Sequence, residues 1–416
     1  MNDPATSTVP AMPTGAELLR EADAAADSAL ERCRSPLGLQ AASDLYPEVW
    51  ARDLAITFLG AGLDRHPDGM TCLRTSLATL AGHQDEFGQI PVWVSVRTAK
   101  PWFTGAQDAS PWFVVACCRY AQLSGDRDWL LAHRDAVANA LRWCESRDVR
   151  HLGLMEGDDG TDWADIMPHH GRMLFPNVVR VVALDLALQV LPDDRDAPVW
   201  RRQREGVRAA IQDRFWVRIG NLASDQDHTR NRAAAALALR EMPHFLAWES
   251  MFEIGDRFDV PGNLLAILTG IATADQGHAI LDAIEKYGIN RPYPVQVIYP
   301  VIQPGDKDWH EYFKVWNLNL PHQYCNGGIW PWVGGLYVAA LAKLGRHDEA
   351  LRQLESLARA NQAGDRTVPA WRFSEWLHGV HGTACGGIHQ AWSAGMWLFA
   401  RCAVKTGRTP GFGGDL

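Results

Sequence analysis

No stretch of this 416-residue chain approaches the roughly 18 consecutive apolar residues that a membrane-spanning helix needs. Basic charge is not in surplus either: 40 Lys and Arg against 49 Asp and Glu leave a net charge of -9 and a pI near 5.9. That balance argues against nucleic acid or an anionic membrane as a partner, because both recruit basic surfaces. The opening MNDPATSTVPAMPTG has no charged segment leading into an apolar core, so no secretory signal is expected. The eight cysteines (Cys33, Cys72, Cys117, Cys118, Cys144, Cys325, Cys385 and Cys402) form no CxxC pair. Reduced, mostly buried thiols and a cytoplasmic location follow as expectations. Strict apolar/polar alternation, the mark of a half-buried strand, is almost missing. Neither His169-His170 nor His378, His381 and His389 sits at a metal-ligand spacing such as HExxH, so no metal is expected.

What is present is a globular composition, 47% hydrophobic and 21% charged, with a mean hydropathy of -0.19. A chain of this length buries about three quarters of its unfolded surface and needs no disulfide or metal to fold. Tryptophan is abundant, 18 against 13 Phe and 8 Tyr. Such a surplus serves either a large aromatic core or indole faces for sugar rings to stack on.

Apolar residues recur with a period of 3.6 along most of the chain. The pattern predicts helices near 14–33, 51–64, 70–82, 109–124, 127–147, 175–191, 197–216 and 229–241. Others fall near 262–272, 276–287, 331–345, 347–360 and 388–405. GLYVAALAKLGRHDEALRQLESLARANQ reads as a hairpin, with one helix apolar nearly all round and the next carrying a polar face. The first suits an inner layer and the second an outer one. Long irregular stretches at 86–107, 148–172, 288–330 and 362–387 are rich in Trp, Asp, Gly and Pro, and loops of that length in a domain are usually functional.

Those loops carry polar residues at semi-regular intervals: Asp53, Asp108, Asp165, Asn326 and Gln390, with a missing member expected around Gly262-Asn263. Six hairpins, each presenting a polar residue at the start of its inner helix, describe an all-α (α/α)6 barrel. Its six inner N-termini would point at one acidic, Trp-lined mouth. The expected organisation is a flexible segment 1–13, a single barrel over 14–408 and a tail over 409–416. Thirteen predicted helices exceed the required twelve by one, which would be a short insertion or the N-terminal helix.

An acidic, indole-lined mouth without a metal motif points to carbohydrate chemistry. Glycosidic cleavage needs one carboxylic acid to protonate the leaving oxygen and a second carboxylate as nucleophile or base. EGDDGTDWAD offers Glu156, Asp158, Asp159, Asp162 and Asp165, most of which must be loop acids or N-caps. Asp165, flanked by Trp163, Ile166 and Met167, is the one most open to desolvation, which raises a carboxyl pKa as a general acid requires. Glu375, among Trp371, Phe373 and Trp376, is the second candidate, with an ordinary surface Glu as its rival reading. Asp53 beside Arg52 reads as a helix cap or ion pair, and before Pro111 either Asp108 or Ser110 reads as a cap, the rival reading for Asp53 and Asp108 being a contact with a sugar hydroxyl. AWSAG at 391–395 mimics a nucleophile elbow, but Ser393 lies inside an apolar helix with no preceding strand.

At this point the motifs look familiar. YCNGGIWPW resembles the NGGxWP motif of neutral/alkaline invertases, glycoside hydrolase family 100, and of the amylo-α-1,6-glucosidase domain of glycogen-debranching enzymes. WARDL around Asp53, QDASPWF around Asp108, WAD at 163–165 and the Glu375 to Gln390-Ala391-Trp392-Ser393 region are similar to further motifs of that group, in the same order over about residues 45–405. The resemblance implies an inverting, cofactor-free exo-hydrolase of an α-glucoside or similar small glycoside on an (α/α)6 barrel. It makes Asp165 the general acid and Glu375 the general base. Asp53, Asp108, Asn326 and Gln390 would hold the sugar in the −1 subsite. Trp50, Arg52, Trp163, Trp330, Trp376 and Trp392, in or beside the same motifs, complete the expected substrate-binding set.

Three departures fall in loops that face substrate: Cys325 replaces a His, Ser374-Glu375 replaces Pro-Glu, and Phe175-Pro176-Asn177 lacks an expected Glu. The reaction class is therefore implied more firmly than sucrose as the substrate. The expected partner is a small carbohydrate, and the sequence is compatible with a homo-oligomer. Two rival readings of the same barrel are a sugar isomerase or epimerase using His310, His322, His378, His381 or His389, and a sugar-binding toroid without turnover.

Overall fold

Six helices are buried along nearly their whole length. They are α2 (Ala51–Gly60), α4 (Ala109–Ser124), α7 (Leu174–Val190), α9 (Val260–Leu268), α11 (Pro331–Lys343) and α13 (Ala391–Thr406). Such helices cannot face water on any side and must be wrapped by another layer. That layer comes from α1 (Gly15–Arg32), α3 (Pro67–Ala81), α6 (Arg134–Ser146), α8 (Ala197–Phe215), α10 (Ala274–Lys286) and α12 (His347–Gln362). Each of these buries one stripe only, as α12 does with Ala350, Leu354, Leu357 and Ala358. A short helix, α5 (Arg127–Ala132), precedes α6. The structure is a computed structural model and describes residues 15–62, 67–218, 242–251, 253–362 and 371–412. The helix predicted at 229–241 and the segment 1–13 lie outside these residues.

The inner helices follow one another in a closed circuit. α2 packs on α4, α4 on α7, α7 on α9, α9 on α11, α11 on α13, and α13 returns to α2. On the outside, α3 rests on α2 and α4, α6 on α4 and α7, α8 on α7, and α10 on α9. α12 leans on α11 and α13, and α1 packs on both α12 and α13. The N-terminal helix is therefore an outer member, and not a surplus one. The thirteenth described helix arises because the predicted span 127–147 breaks at His133, with Asp126 capping α5 by accepting from the Trp129 N–H at 3.0 Å.

Two glycines let the circuit close. A Cβ on Gly60 would overlap the Gly395 carbonyl, and one on Gly395 would overlap the Thr57 carbonyl, so α2 and α13 meet backbone to backbone. Strands are present but only two or three residues long, too short for alternation to show in a sequence. Residues 48–50, 93–95 and 101–102 form one sheet, and 156–157, 171–173, 248–249 and 254–255 another.

A repeated clamp ties five of the six inner helices, or the residues just before them, to the preceding loop. Ser110 accepts from the Ile90 N–H at 3.0 Å. Asn177 accepts from the Met155 N–H at 2.8 Å while its amide donates to the Met155 and Met173 carbonyls. Asn263 repeats this on Phe245, donating also to the Asp259 carbonyl. Asn326 repeats it on Ile302, donating also to the Asn319 carbonyl. Ser393 donates to the Ser374 carbonyl at 3.1 Å. A side-chain amide satisfies both backbone groups of one residue, which a buried irregular loop requires. The loops at the mouth are thus fixed to the helices beneath them.

Candidate active site

At the starts of α2, α11 and α13, the residues immediately before the first turn are Trp50, Trp330 and Gln390, and all three face one narrow cleft. The cleft encloses about 380 Å³ of empty space. Its remaining walls are Ala41, Tyr46, Arg52, Asp53, Trp163, Asp165, Tyr324, Glu375 and Trp392. Residues as far apart as Arg52, Asp165, Glu375 and Gln390 therefore share one cavity. The floor is a packed set of indoles. Trp163 meets Trp330 and Trp332 edge-on at 5.5 and 5.2 Å, and Trp332 stacks on Trp392 at 5.3 Å. Edge-to-face packing at these distances holds rings rigidly.

Asp165 lies on the loop between the strands at 156–157 and 171–173 and is only part-buried, because it opens into the cleft. Asp162 shapes this loop by accepting from the Ala164 N–H at 2.8 Å and pairing with His169 at 3.1 Å. Burial pushes the Asp165 carboxyl up to about 6, against the pull of Arg52. Asp162 adds to the rise, and a hydrogen bond from Tyr324 opposes it.

Glu375 stands on the loop that leads into α13 and is 3% exposed. One carboxylate oxygen accepts from the Tyr46 hydroxyl at 2.9 Å and the other from the Gly387 N–H at 3.0 Å. Gly386, at φ +70°, turns the chain so close to this carboxylate that any Cβ would strike it. Burial pushes Glu375 up to about 7, although both of those hydrogen bonds favour its ionised form.

Behind the two acids sits a charged cluster. Arg52 pairs with the fully buried Asp108 at 3.3 Å. Its burial opposes the charge, but Asp108, Asp165, Asp53 and Asp162 hold it protonated. Burial raises Asp53 to about 7 and Asp108 to about 6, with Arg52 opposing both shifts. Neither carboxylate makes a side-chain cap: Asp53 is inside the first turn of α2, and Asp108 occupies the N-cap position of α4 without capping it. Several polar atoms of the cleft walls have no hydrogen-bond partner among the described residues. They include Arg52 Nε, Trp163 Nε1, Gln390 Oε1 and Trp392 Nε1. Buried groups of this kind cost free energy unless a ligand meets them.

Nine of the twelve expected site residues line the cleft. Three do not. Asp108 stands behind Arg52 and acts on it. Asn326, expected in the −1 subsite, does not line the cleft and uses its amide on the backbone clamp that the buried loop requires. Trp376 is buried where residues 376–377 pair with 384–385, edge-on to Tyr324 at 6.0 Å, and supports that ring from behind. Asn263, placed near the missing interval, is likewise a clamp. Tyr46 and Tyr324 were missed. Tyr324 opens the quoted YCNGGIWPW and Tyr46 lies four residues before WARDL, but nothing in the local pattern showed that their hydroxyls reach the two acids.

The five histidines of the isomerase reading lie elsewhere. His378 stacks on His381 at 4.8 Å with His322 nearby, His310 stacks on Tyr312, and His389 meets Ser43 at 3.1 Å. None lines the cleft. Among the described residues no group of three or more His, Cys, Asp or Glu is arranged to hold a metal ion, and no helix is long and apolar enough to cross a membrane.

Helix-rich architecture with an acid pair in an indole-lined cleft marks this chain as a glycoside hydrolase. Residues 251–406 match the family described as alkaline and neutral invertase. Neutral/alkaline invertase 3, chloroplastic, of Oryza sativa subsp. japonica is 24% identical over 92% of this chain and 72% of its own. Alkaline/neutral invertase E, chloroplastic, of Arabidopsis thaliana is 29% identical over 35% of this chain, which spans only 23% of that protein. In fold, the chain is similar to the GH63 mannosylglycerate hydrolase of Thermus thermophilus, with a TM-score of 0.65 and 16% identity over 91% of this chain and 99% of that one. It is similar also to a rhamnosidase from Klebsiella oxytoca, with a TM-score of 0.63 and 17% identity over 96% and 66%.

Proposed function

We propose that this chain is an inverting exo-hydrolase of an α-glucoside or a similar small glycoside, built on a single (α/α)6 barrel over residues 14–408 and working in the cytoplasm. Asp165 protonates the leaving oxygen as the glycosidic bond breaks. Glu375 takes a proton from a water attacking the opposite face of the sugar, and the Asp165 proton leaves with the aglycone. The observation that carries this reading is that two carboxyls 210 residues apart in the chain line one cleft, each with its proton affinity raised toward neutrality. An acid and base near the working pH are what general acid–base catalysis requires. The partnerless Arg52, Trp163, Gln390 and Trp392 atoms suit sugar hydroxyls, and the indole floor suits the C–H face of a pyranose.

Asp53, next to Arg52 in the same wall, completes the ring-holding set. A wider cavity bordered by Asp158, Asp159, His170 and Trp248 shares the loop that carries Asp165, which supports a leaving group on that side. Eight free thiols accord with a reducing compartment.

The test is a panel of sucrose, maltose, trehalose and glycerate glycosides, with NMR of the first-formed anomer and free hexoses in parallel. Release of β-glucose from an α-glucoside is expected, and inversion requires a carboxyl separation of about 6.5–9.5 Å. First-formed α-glucose would replace the inverting assignment by a retaining one. Interconversion of free hexoses without glycoside cleavage would overturn the hydrolase reading.

A further inference from the structure

Asp165 is followed by Ile166 at φ +60°, and Tyr324 itself sits at φ +43°. A β-branched residue in the left-handed region is strained by about 1–3 kcal/mol and persists only where its surroundings hold it. One fully buried side chain touches both strained segments. The Asn319 amide nitrogen donates to the Asp165 carbonyl at 3.1 Å and to the Ile166 carbonyl at 3.2 Å. Its amide oxygen accepts from the Cys325 N–H, next to Tyr324, at 3.0 Å. Its own carbonyl accepts from the clamp residue Asn326 at 3.0 Å. The Tyr324 carbonyl is fixed in turn by the Trp330 indole N–H at 3.0 Å.

We propose that Asn319 is the positioning residue of the acid, joining the 165–166 turn to the 324–325 turn so that the Tyr324 hydroxyl meets the Asp165 carboxyl. This deepens the hydrolase reading and takes from it the role of Asp165. Asn319 does not itself line the cleft and acts through two backbones. Its polarity is specific, because two of its contacts are carbonyls that need N–H donors and the third is an N–H that needs an acceptor. An aspartate of the same shape would set carboxylate oxygens against two carbonyl oxygens and could donate to one of them only when protonated.

The groups facing Asp165 besides Tyr324 are Arg52 and Asp53 of α2, Asp108 before α4, Asp162 on the same loop, Cys325, Tyr46 and Glu375. Of these only Cys325 bonds Asn319, through its backbone N–H, so a change at position 319 leaves the side chains of the others in place. Losing the Tyr324 bond removes an interaction that favours the ionised carboxyl, so the Asp165 pKa should rise.

The experiment compares Asn319→Ala, Asn319→Asp and Tyr324→Phe, singly and as the Asn319→Ala/Tyr324→Phe pair, in the full chain. The expected result for Asn319→Ala is a roughly 10- to 100-fold loss of kcat with KM within about threefold, as for small displacements of a catalytic group. Asn319→Asp should lose most at alkaline pH and recover partly as pH falls. The pair should lose no more than the larger single change. Carboxyl NMR, with Asp165→Asn to assign the signal, should show the Asp165 pKa raised in Asn319→Ala, and this readout needs no substrate. An unchanged Asp165 pKa, or fully additive losses in the pair, would overturn the proposal while leaving the hydrolase reading in place. If Asn319→Ala does not fold, the pH-dependent recovery of Asn319→Asp decides, and a flat loss at every pH counts against the proposal. Wild-type protein that cleaves no glycoside would sink the hydrolase reading, and the NMR pKa would still decide the role of Asn319.

Discussion

The Tyr46 hydroxyl is the most informative single atom to remove. It donates to the Glu375 carboxylate over 2.9 Å, and burial together with the charges of Glu375, Asp165 and Asp53 raises its own pKa, so it remains a donor throughout. A hydrogen bond to a charged partner contributes about 1.5–3 kcal/mol. At about 1.4 kcal/mol per pH unit, its loss lifts Glu375 from about 7 by roughly one to two pH units.

In the proposed mechanism Glu375 must be ionised while Asp165, at about 6, is protonated. With those two values the productive form amounts to about 6% at its optimum near pH 6.5. Raising the Glu375 value to about 8 or 9 cuts that fraction to about 0.8% or 0.1%. Tyr46→Phe should therefore lower peak kcat/KM by about 7- to 60-fold and move the optimum upward by about 0.5–1 pH unit. The ring, edge-on to Trp50 at 6.2 Å, stays in place as phenylalanine, so circular dichroism should not change. The assay is the pH profile of kcat/KM on the best substrate of the panel. Unaltered kcat/KM, or an optimum that moves down, in well-folded protein would refute the reasoning.

Asp165→Asn should lose about 10²–10⁴-fold in kcat on a glycoside with an alcohol leaving group. It should lose far less on a glycosyl fluoride, whose leaving group needs no proton, whereas equal losses on both would deny Asp165 the acid role. Asp259 bears on stability rather than chemistry. Burial raises it from 3.8 to about 7 against the opposing charge of His169, so its contribution is full below about pH 4 and is lost as pH rises through 7. Asp259→Asn keeps an acceptor for the Gly262 N–H and should be more stable than wild type at pH 8, by on the order of 4 kcal/mol in urea unfolding, with the gap closing near pH 4. A gap that does not change with pH would contradict this. Gly395→Ala forces a methyl into the Thr57 carbonyl where α13 meets α2, and should cost about 1–3 kcal/mol or more, seen as a lower Tm. An unchanged Tm would mean that the two helices can separate without loss.

Periodicity and composition alone determined the inner and outer helices of this chain, because a helix buried all round and one buried on a stripe leave different patterns. α4 falls on its predicted span, and α7, α8 and α11 within two residues of theirs. Motif order singled out Asp165 and Glu375, which the fold brings to one cleft, since acids among indoles are conspicuous. Local signals could not tell a residue that faces the cleft from one that holds the loop. Asn326 and Gln390 fall at similar intervals, yet the amide of one is consumed by backbone while the other opens to the cavity. Nor could they show Tyr46 reaching Glu375, or Asn319 reaching the 165–166 turn, because those pairings span 329 and 154 residues. Only the closing of the helix circuit brings such segments together. A hydrogen bond depends on a fraction of an ångström between atoms whose neighbourhood does not exist until α13 has met α2.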